Sequence, residues 1–313
     1  SWIANANYVI GAEETMDGSS EDKAYVLGSA YAIRGLCYLN LCNWYARPPY
    51  SALQNKYRWS DPAVPIYTNP TYKDFTGAPR SDLRTVFDQI NSDLDRAVEL
   101  LDAGSGSRLA GDKSHINLYV ALGFKVRAAL AAGDWDTALS CSERIIGSGL
   151  YQVGERNELL NGMNSLSLKN VMWGAGITNT EQAGGYASFF SHMDNTNGAY
   201  AQAAPKLISS SLYKMMPADD IRRVWWDPEN PESPYVSNKF SFSNVAAWLG
   251  DYIYMRVEEF YFDAAEAALR KGDRAKAVKY LNEVMQKRSE SYNAENYSGT
   301  LLGALTNSLT GSL

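Results

Sequence analysis

Residues 21–45, EDKAYVLGSAYAIRGLCYLNLCNWY, open on an acidic turn and are then apolar on nearly every face. That is the pattern of a helix packed between others in a larger layer. Its one charge beyond the first turn is Arg34. Such an arginine most often lays its stem on apolar neighbours and pairs with a carboxylate; the alternative is a guanidinium presented to a cleft. The opening SWIANANYVI also reads as helix interior. A further helix is predicted after Ser81, an N-cap residue: Leu83, Val86, Phe87, Ile90, Leu94, Ala97, Val98 and Leu101 recur at spacings of three and four, and AGSGS ends the run. Between these helices, residues 46–80 hold Pro48, Pro49, Pro62, Pro65, Pro70 and Pro79 and cannot form a continuous helix.

An internal repeat follows. Residues 128–139, AALAAGDWDTAL, align with 267–278, AALRKGDRAKAV, at a constant offset of 139. The copies share Ala-Ala-Leu, then Gly-Asp, then an alanine. Each predicts a helix ending at Gly133 or Gly272, an N-cap at Asp134 or Asp273, and close helix approach at Ala138 or Ala277. The first unit, from about Ile116 to Gly149, spans roughly 34 residues, the period of a tetratricopeptide repeat. The second extends from about Asp251 to Arg288. The expected architecture is mostly α, a tetratricopeptide-like helix-turn-helix scaffold with large loop-rich insertions. Residues 1–45 and 81–150 supply helical scaffold, 46–80 an aromatic and proline-rich insert, and 151–250 a lobe of loops and short helices with room for a small strand pair. Residues 251–288 form the second repeat unit, and 289–313 an irregular tail.

Composition narrows the function. Apolar residues make up 45% and charged residues 20% of 313 positions, an ordinary globular balance. Lys and Arg number 29 against 35 Asp and Glu, a formal charge of −6, which argues against a nucleic-acid surface. Cys37, Cys42 and Cys141 make no disulfide framework and read as small core residues. Only His115 and His192 are present, so zinc sites and histidine-based triads lack material. No run of 18 apolar residues and no leader segment is visible. The adjacent acids Glu13-Glu14, Asp219-Asp220 and Glu258-Glu259 read as helix-surface salt bridges or caps, since sequence neighbours diverge by about 100° on a helix. GAGITNT at 174–180 follows no convincing strand, and no hydrolase, metalloprotease or phosphate-loop motif appears. Missing motifs do not exclude an enzyme but leave no argument for a particular one, and no cofactor is expected.

The positive signal is aromatic. The chain holds 21 Tyr, 9 Phe and 8 Trp, and Trp44, Tyr45, Tyr50, Tyr57, Trp59, Tyr67, Tyr72 and Phe75 crowd into one irregular stretch where no helix core consumes them. Such rings suit stacking on sugars or gripping an extended chain, and the competing reading is that they pin the loop to the scaffold.

Five segments together resemble the SusD/RagB family of Bacteroidetes surface lipoproteins. WIANANYVI is similar to its Ala-Asn helix. AYAIRGLCYLNLCNWYARPPY is similar to its Leu/Ile-Arg-Ala helix and Tyr-Ala-Arg-Pro-Tyr turn. AVPIYTNPTYKDFTGAPRSDLRTVFDQINSDLDRA resembles its Gly-Val-Pro-Leu, Pro-Arg and Asp-Leu-x-x-Ala segment. INLYVALGFKVRAALAAGDWDTALSCSERIIGSGLY resembles its repeat helices. DYIYMRVEEFYFDAAEAALRKGDRAKAVKYLNEVMQKR carries its Arg-x-x-Glu and Ala-Glu-Ala signature at Arg256, Glu259, Ala265, Glu266 and Ala267, with Asn282 later. Gly35 stands for the usual Ala, Ala63 for the usual Gly, and Pro48-Pro49 is doubled. The family's lipoprotein cysteine and late Glu-Arg-Arg and Glu-Gly-x-Arg region are not among these residues, so the chain resembles a member lacking both ends.

The resemblance implies capture of a nutrient, usually a glycan, for a SusC-like TonB-dependent outer-membrane transporter. It also implies a cell-surface location through an N-terminal lipid anchor outside this chain. It places the ligand where Arg34 and Asn43 on the helix, and Tyr50, Asn55, Tyr57, Arg58 and Trp59 after it, meet aromatics of the lobe: Tyr186, Tyr200, Trp225 and Trp226. Trp59 and Tyr50 lead that set and Arg34 comes last. The alternatives are a tetratricopeptide adaptor for protein partners, a SusD-like binder of peptides, and a helical-barrel glycosidase.

Overall fold

A computed structural model describes residues 2–51, 54–103, 112–178 and 187–296. The chain divides into two compact units, Ser1–Asp112 with Ile116–Gly147, and Lys113–His115 with Ser148–Leu313.

The first unit is helical. It contains α1 (Trp2–Gly11), α2 (Ser20–Tyr45), the short strands β1 (Tyr50–Ser51) and β2 (Lys56–Tyr57), α3 (Leu83–Ala103), α4 (Leu118–Ala132) and α5 (Trp135–Gly147). Ser19 caps α2 by accepting from the Asp22 amide. As its all-round apolar pattern predicts, α2 packs on α1 and, most extensively, on α3. Gly35 permits that approach, because a Cβ there would lie 2.9 Å from Leu94 Cγ. The cap of α3 is Asp82 and not Ser81: Asp82 Oδ1 accepts from the Thr85 amide at 2.8 Å, while the Ser81 backbone pairs with Ala63 and Val64. Cys42 and Cys141 are buried and all three cysteines are free thiols.

Arg34 is 4% exposed and Asp93 1%. Arg34 Nε and Nη2 donate to the two Asp93 oxygens at 2.8 and 2.6 Å, and Nη1 donates to Asn7 Oδ1 at 2.9 Å and Thr68 O at 3.1 Å. Each guanidinium nitrogen is thus engaged inside the helical core. As a ligand-binding residue Arg34 is therefore corrected: it is a structural arginine, buried and hydrogen-bonded into the core.

The first repeat forms as expected. Asn117 caps α4, Gly133 ends it at φ 73°, Asp134 accepts from the Thr137 amide, and Ala138 is buried between the helices.

The second unit holds β3 (Val171–Ala175), α6 (Phe189–Met193), α7 (Ala199–Ala203), α8 (Ser210–Met215), β4 (Trp226–Asp227), β5 (Val236–Ser237), β6 (Tyr252–Arg256), α9 (Val257–Arg270) and α10 (Arg274–Met285). β3 pairs antiparallel with β6, and β4 with β5. The second repeat starts later than expected, because residues 252–256 extend to pair with β3 and the helix begins at Val257. GAGITNT begins inside a strand, since Gly174 and Ala175 are the last residues of β3; its last two residues lie outside the described residues. Asp273 caps α10 through the Lys276 amide.

Of the adjacent acids Asp219 and Asp220, the second behaves as a cap. Asp220 caps the turn Ile221–Trp225 and pairs with buried Arg222, while Ser289 and Ser291 donate to Asp219 and hold its carboxyl down at about 2. Glu258 does not lie on the helix surface as expected but is buried, its Oε1 accepting from Gly154 N, Asn170 Nδ2 and Arg288 Nη2. Burial pushes its carboxyl up, but Arg256, Arg288 and these hydrogen bonds more than reverse that and hold it below the ordinary value.

Removing one partner of a buried ion pair strands the other charge. Asp93→Ala is therefore expected to destabilise the protein by about 3–5 kcal/mol. The double change Arg34→Met with Asp93→Leu should recover much of that loss, both read by urea unfolding.

Candidate functional site: an aromatic cleft in the first unit

The proline-rich stretch reaches α3 through backbone pairing. Trp59 O accepts from Arg84 N at 3.0 Å, Asp61 O from Leu83 N at 2.9 Å, and Ala63 N donates to Ser81 O at 2.7 Å. Upstream, Tyr50 pairs with Tyr57 across the β1–β2 ladder, and Arg58 N donates to Pro49 O at 2.8 Å. Tyr57 ends β2, and Trp59 lies two residues on, in the turn that Asp61 N closes by donating to Arg58 O at 2.9 Å. Their rings are nearly parallel, 11° between planes, with centroids 6.1 Å apart.

These rings form one wall of a cleft of about 350 Å³. Arg84, Phe87, Asp88 and Asn91 of α3 form another, and Ala129, Ala132, Gly133 and Asp134 line the remainder. Trp59 rests edge-on against Phe87 at 5.8 Å, and the Arg84 guanidinium lies 4.3 Å from the Trp59 ring centre. Tyr57 is 49% exposed. Flat apolar rings beside an arginine, an aspartate and an amide can hold a ligand that has an apolar face and a hydroxylated edge. Among the described residues no group of His, Cys, Asp and Glu is arranged to hold a metal ion.

The structure thus brings Tyr50, Tyr57 and Trp59 together. Tyr50 does not line the cleft. It lies edge-on to Trp135 at 5.4 Å, tilts against Tyr57 at 5.2 Å, and donates to Asn55 Oδ1 at 3.0 Å, which makes it the support of Tyr57. Asn55 is exposed with φ 45°, and half-buried Arg58 donates to Gln54 Oε1 at 2.8 Å; neither lines the cleft. Asn43 is exposed on the last turn of α2.

The remaining candidates belong to the second unit. Trp225 is corrected: it is 4% exposed, its Nε1 donates to Leu159 O at 3.0 Å, and Lys239 Nζ stands 5.1 Å from its ring centre, so it is a core ring with no face to offer. Trp226 is half-buried in β4. Tyr200 is 38% exposed and stacks on His192 with centroids 4.4 Å apart. Tyr186 lies outside the described residues.

Sequence reasoning missed Arg84, Asp88 and Asn91. Their spacing of four and three places them on one stripe of α3, a signal present in the sequence beside the apolar stripe. Ala129, Ala132 and Gly133 carried no signal for a cleft, since small residues at a repeat turn are explained by helix packing.

The fold defines a class, a tetratricopeptide-like helical scaffold interrupted by loop-rich segments. The SusD-like family described as "Starch-binding associating with outer membrane" matches residues 1–125. A SusD-like carbohydrate binding protein from Bacteroides vulgatus is 26% identical with a TM-score of 0.85, the alignment covering 99% of this chain and 65% of that one. A putative sugar binding protein from the same organism is 24% identical with a TM-score of 0.80, over 100% of this chain and 68% of that one. Surface glycan-binding protein A from Bacteroides uniformis shares the fold at 15% identity and TM-score 0.70, over 99% and 69%. No curated protein matches. The chain is thus similar to SusD-like proteins in fold, and over residues 1–125 in sequence, and it spans 65% of the length of the first of these structures.

Lys239 gives a measurable signature of the Trp225 core. Burial, and then repulsion from Arg256, Arg222 and Arg288, push its ammonium down to about 7, against a partial upward pull from Glu258. From about pH 7 to the ordinary value of 10.5 the unfolded chain therefore holds the extra proton, and stability should rise with pH across that window. The slope is expected to approach, at most, about 1.4 kcal/mol per pH unit. Lys239→Met should flatten it, as read by urea midpoints at pH 7, 8 and 9.

Proposed function

We propose that this chain binds a glycan without chemically altering it, in the cleft bounded by Tyr57, Trp59 and α3. The observation that supports this reading is the nearly parallel, partly exposed pair Tyr57 and Trp59 facing Arg84, Asp88 and Asn91. A pyranose has an apolar C–H face suited to an aromatic plane, and hydroxyls suited to a carboxylate, an amide and a guanidinium. The similar structures described as carbohydrate, sugar or glycan binding proteins favour the same ligand class. In the full-length protein the glycan would be captured at the outer membrane and delivered to a SusC-like TonB-dependent transporter, with an N-terminal lipid anchor retaining the protein at the cell surface. The family's description as associating with the outer membrane supports the location.

A glycan array followed by calorimetric titration tests the ligand. Tyr57→Ala and Trp59→Ala are each expected to weaken binding by about 1–3 kcal/mol, as for other stacking rings, with melting temperatures near wild type. Tyr57 should matter at least as much as Trp59, because Arg84 already occupies part of the Trp59 surface. Unchanged affinity in both variants would move the site elsewhere. Selective loss of stability would show instead that the rings only pin the loop.

The binding reading also carries an expectation about turnover. Prolonged incubation of purified protein with its best array glycan should release no new reducing ends. Release that follows the protein through purification and disappears in Asp88→Asn would make the cleft an enzyme site.

A further inference from the structure

The turn between α4 and α5 recurs between α9 and α10, and the copies differ in what lies against them. Gly133 and Gly272 both adopt left-handed backbone, at φ 73° and 84°. A Cβ on Gly272 would meet nothing within 4 Å. A Cβ on Gly133 would lie 2.9 Å from Tyr50 Cγ, 3.1 Å from Tyr50 Cβ and 3.2 Å from Tyr57 Oη. Two of those atoms are the root of the Tyr50 ring, so a clash cannot be relieved by swinging a flexible tip. Around the glycine the first copy carries Ala132 and Trp135, where the second carries Lys271 and Arg274. Ala132 lines the cleft, and Trp135 meets Tyr50 edge-on. Helix termination explains why each turn has a glycine. It does not explain why only the first is in contact with two aromatic rings.

We infer that Gly133 is a positioning residue of the cleft: its missing side chain seats the β1–β2 ladder on the repeat turn and so sets where Tyr57 and Trp59 stand. Tyr50 is the register partner of Tyr57, so displacing Tyr50 moves Tyr57 with it. Trp59 follows two residues later, in the turn after β2, with its ring nearly parallel to that of Tyr57. The consequence for ligand rests on reading the cleft as a glycan site; the seating of the ladder does not.

The repeat supplies its own control. Asparagine tolerates left-handed backbone far better than alanine does, yet carries the Cβ. Gly133→Asn and Gly272→Asn therefore separate added bulk from backbone strain, and Gly133→Ala and Gly272→Ala include both. In hydrogen–deuterium exchange on the full chain, the segment 56–58 should exchange about tenfold faster in both Gly133 variants and within about twofold of wild type in both Gly272 variants. In titration with maltoheptaose, or with the array glycan bound if maltoheptaose is not, Gly133→Asn should weaken affinity about tenfold and Gly272→Asn should not. Unchanged exchange at 56–58 in Gly133→Asn, or equal changes in the two asparagine variants, overturns the inference. If wild type binds no glycan, the proposed function fails, while the exchange comparison still decides the role of Gly133. If Gly133→Ala does not fold, Gly133→Asn carries the test.

Discussion

The architecture of the first unit depends on one buried ion pair. Arg34 comes from α2 and Asp93 from α3, and both are nearly sealed from water. Charges so placed are tolerated only when their hydrogen-bonding capacity is met, so the pair dictates what else must come near. Asn7 of α1 accepts from the guanidinium and donates to Tyr67 O and Asn69 O, and Thr68 O accepts the remaining Arg34 donor contact. Tyr38 Oη exchanges hydrogen bonds with the backbone of Tyr67 in the same layer. Three helices and the otherwise irregular stretch around residues 67–69 are thereby held by a single polar network. That stretch has no periodic apolar face of its own, so its path is set by where these donors and acceptors lie.

The aromatic cleft follows from this anchoring. With the irregular stretch held at residues 67–69 and paired to the start of α3 near residue 63, the segment carrying Tyr57 and Trp59 is drawn across the first turns of α3. The repeat turn at Gly133 meets it from the other side. Rings that would otherwise bury themselves in a core are kept half exposed because their neighbours are an arginine, short alanines and a glycine. The cation over Trp59 gains from the ring's negative face while its hydrogen-bonding edge stays available to a ligand.

The second unit solves a similar problem with different residues. Glu258, at the start of α9, gathers Gly154, Asn170 and Arg288 around one carboxylate oxygen. Gly154 sits tightly there, since a Cβ would lie 3.1 Å from Asn170 Nδ2 and 3.3 Å from Glu258 Oε1. Arg288 Nη1 donates to Gly154 O at 2.8 Å and closes the network. Weakly periodic sequence is thus ordered by buried polar convergence, and burial in the same region, followed by the nearby arginine charges, lowers the Lys239 ammonium.

By itself the sequence determined the elements whose cause is local. The all-apolar α2, the three-and-four spacing of α3, and the Gly-Asp turns at 133 and 272 each follow from periodicity, capping or backbone chirality within a few residues. Aromatic crowding after residue 44 marked the neighbourhood of the cleft for the same reason, since composition is local. Only the tertiary structure decided which rings face outward. Trp225 and Trp59 look alike as residues, yet one donates to Leu159 O in a core and the other borders a cleft. Arg34 and Arg84 are both helix arginines, and what separates them is Asp93, fifty-nine positions from Arg34. Glu258 and Glu259 are neighbours whose fates diverge because only one points at Arg288. Burial and pairing are properties of segments far apart in the chain, and no one-dimensional pattern encodes which distant side chain will arrive beside a given ring or charge.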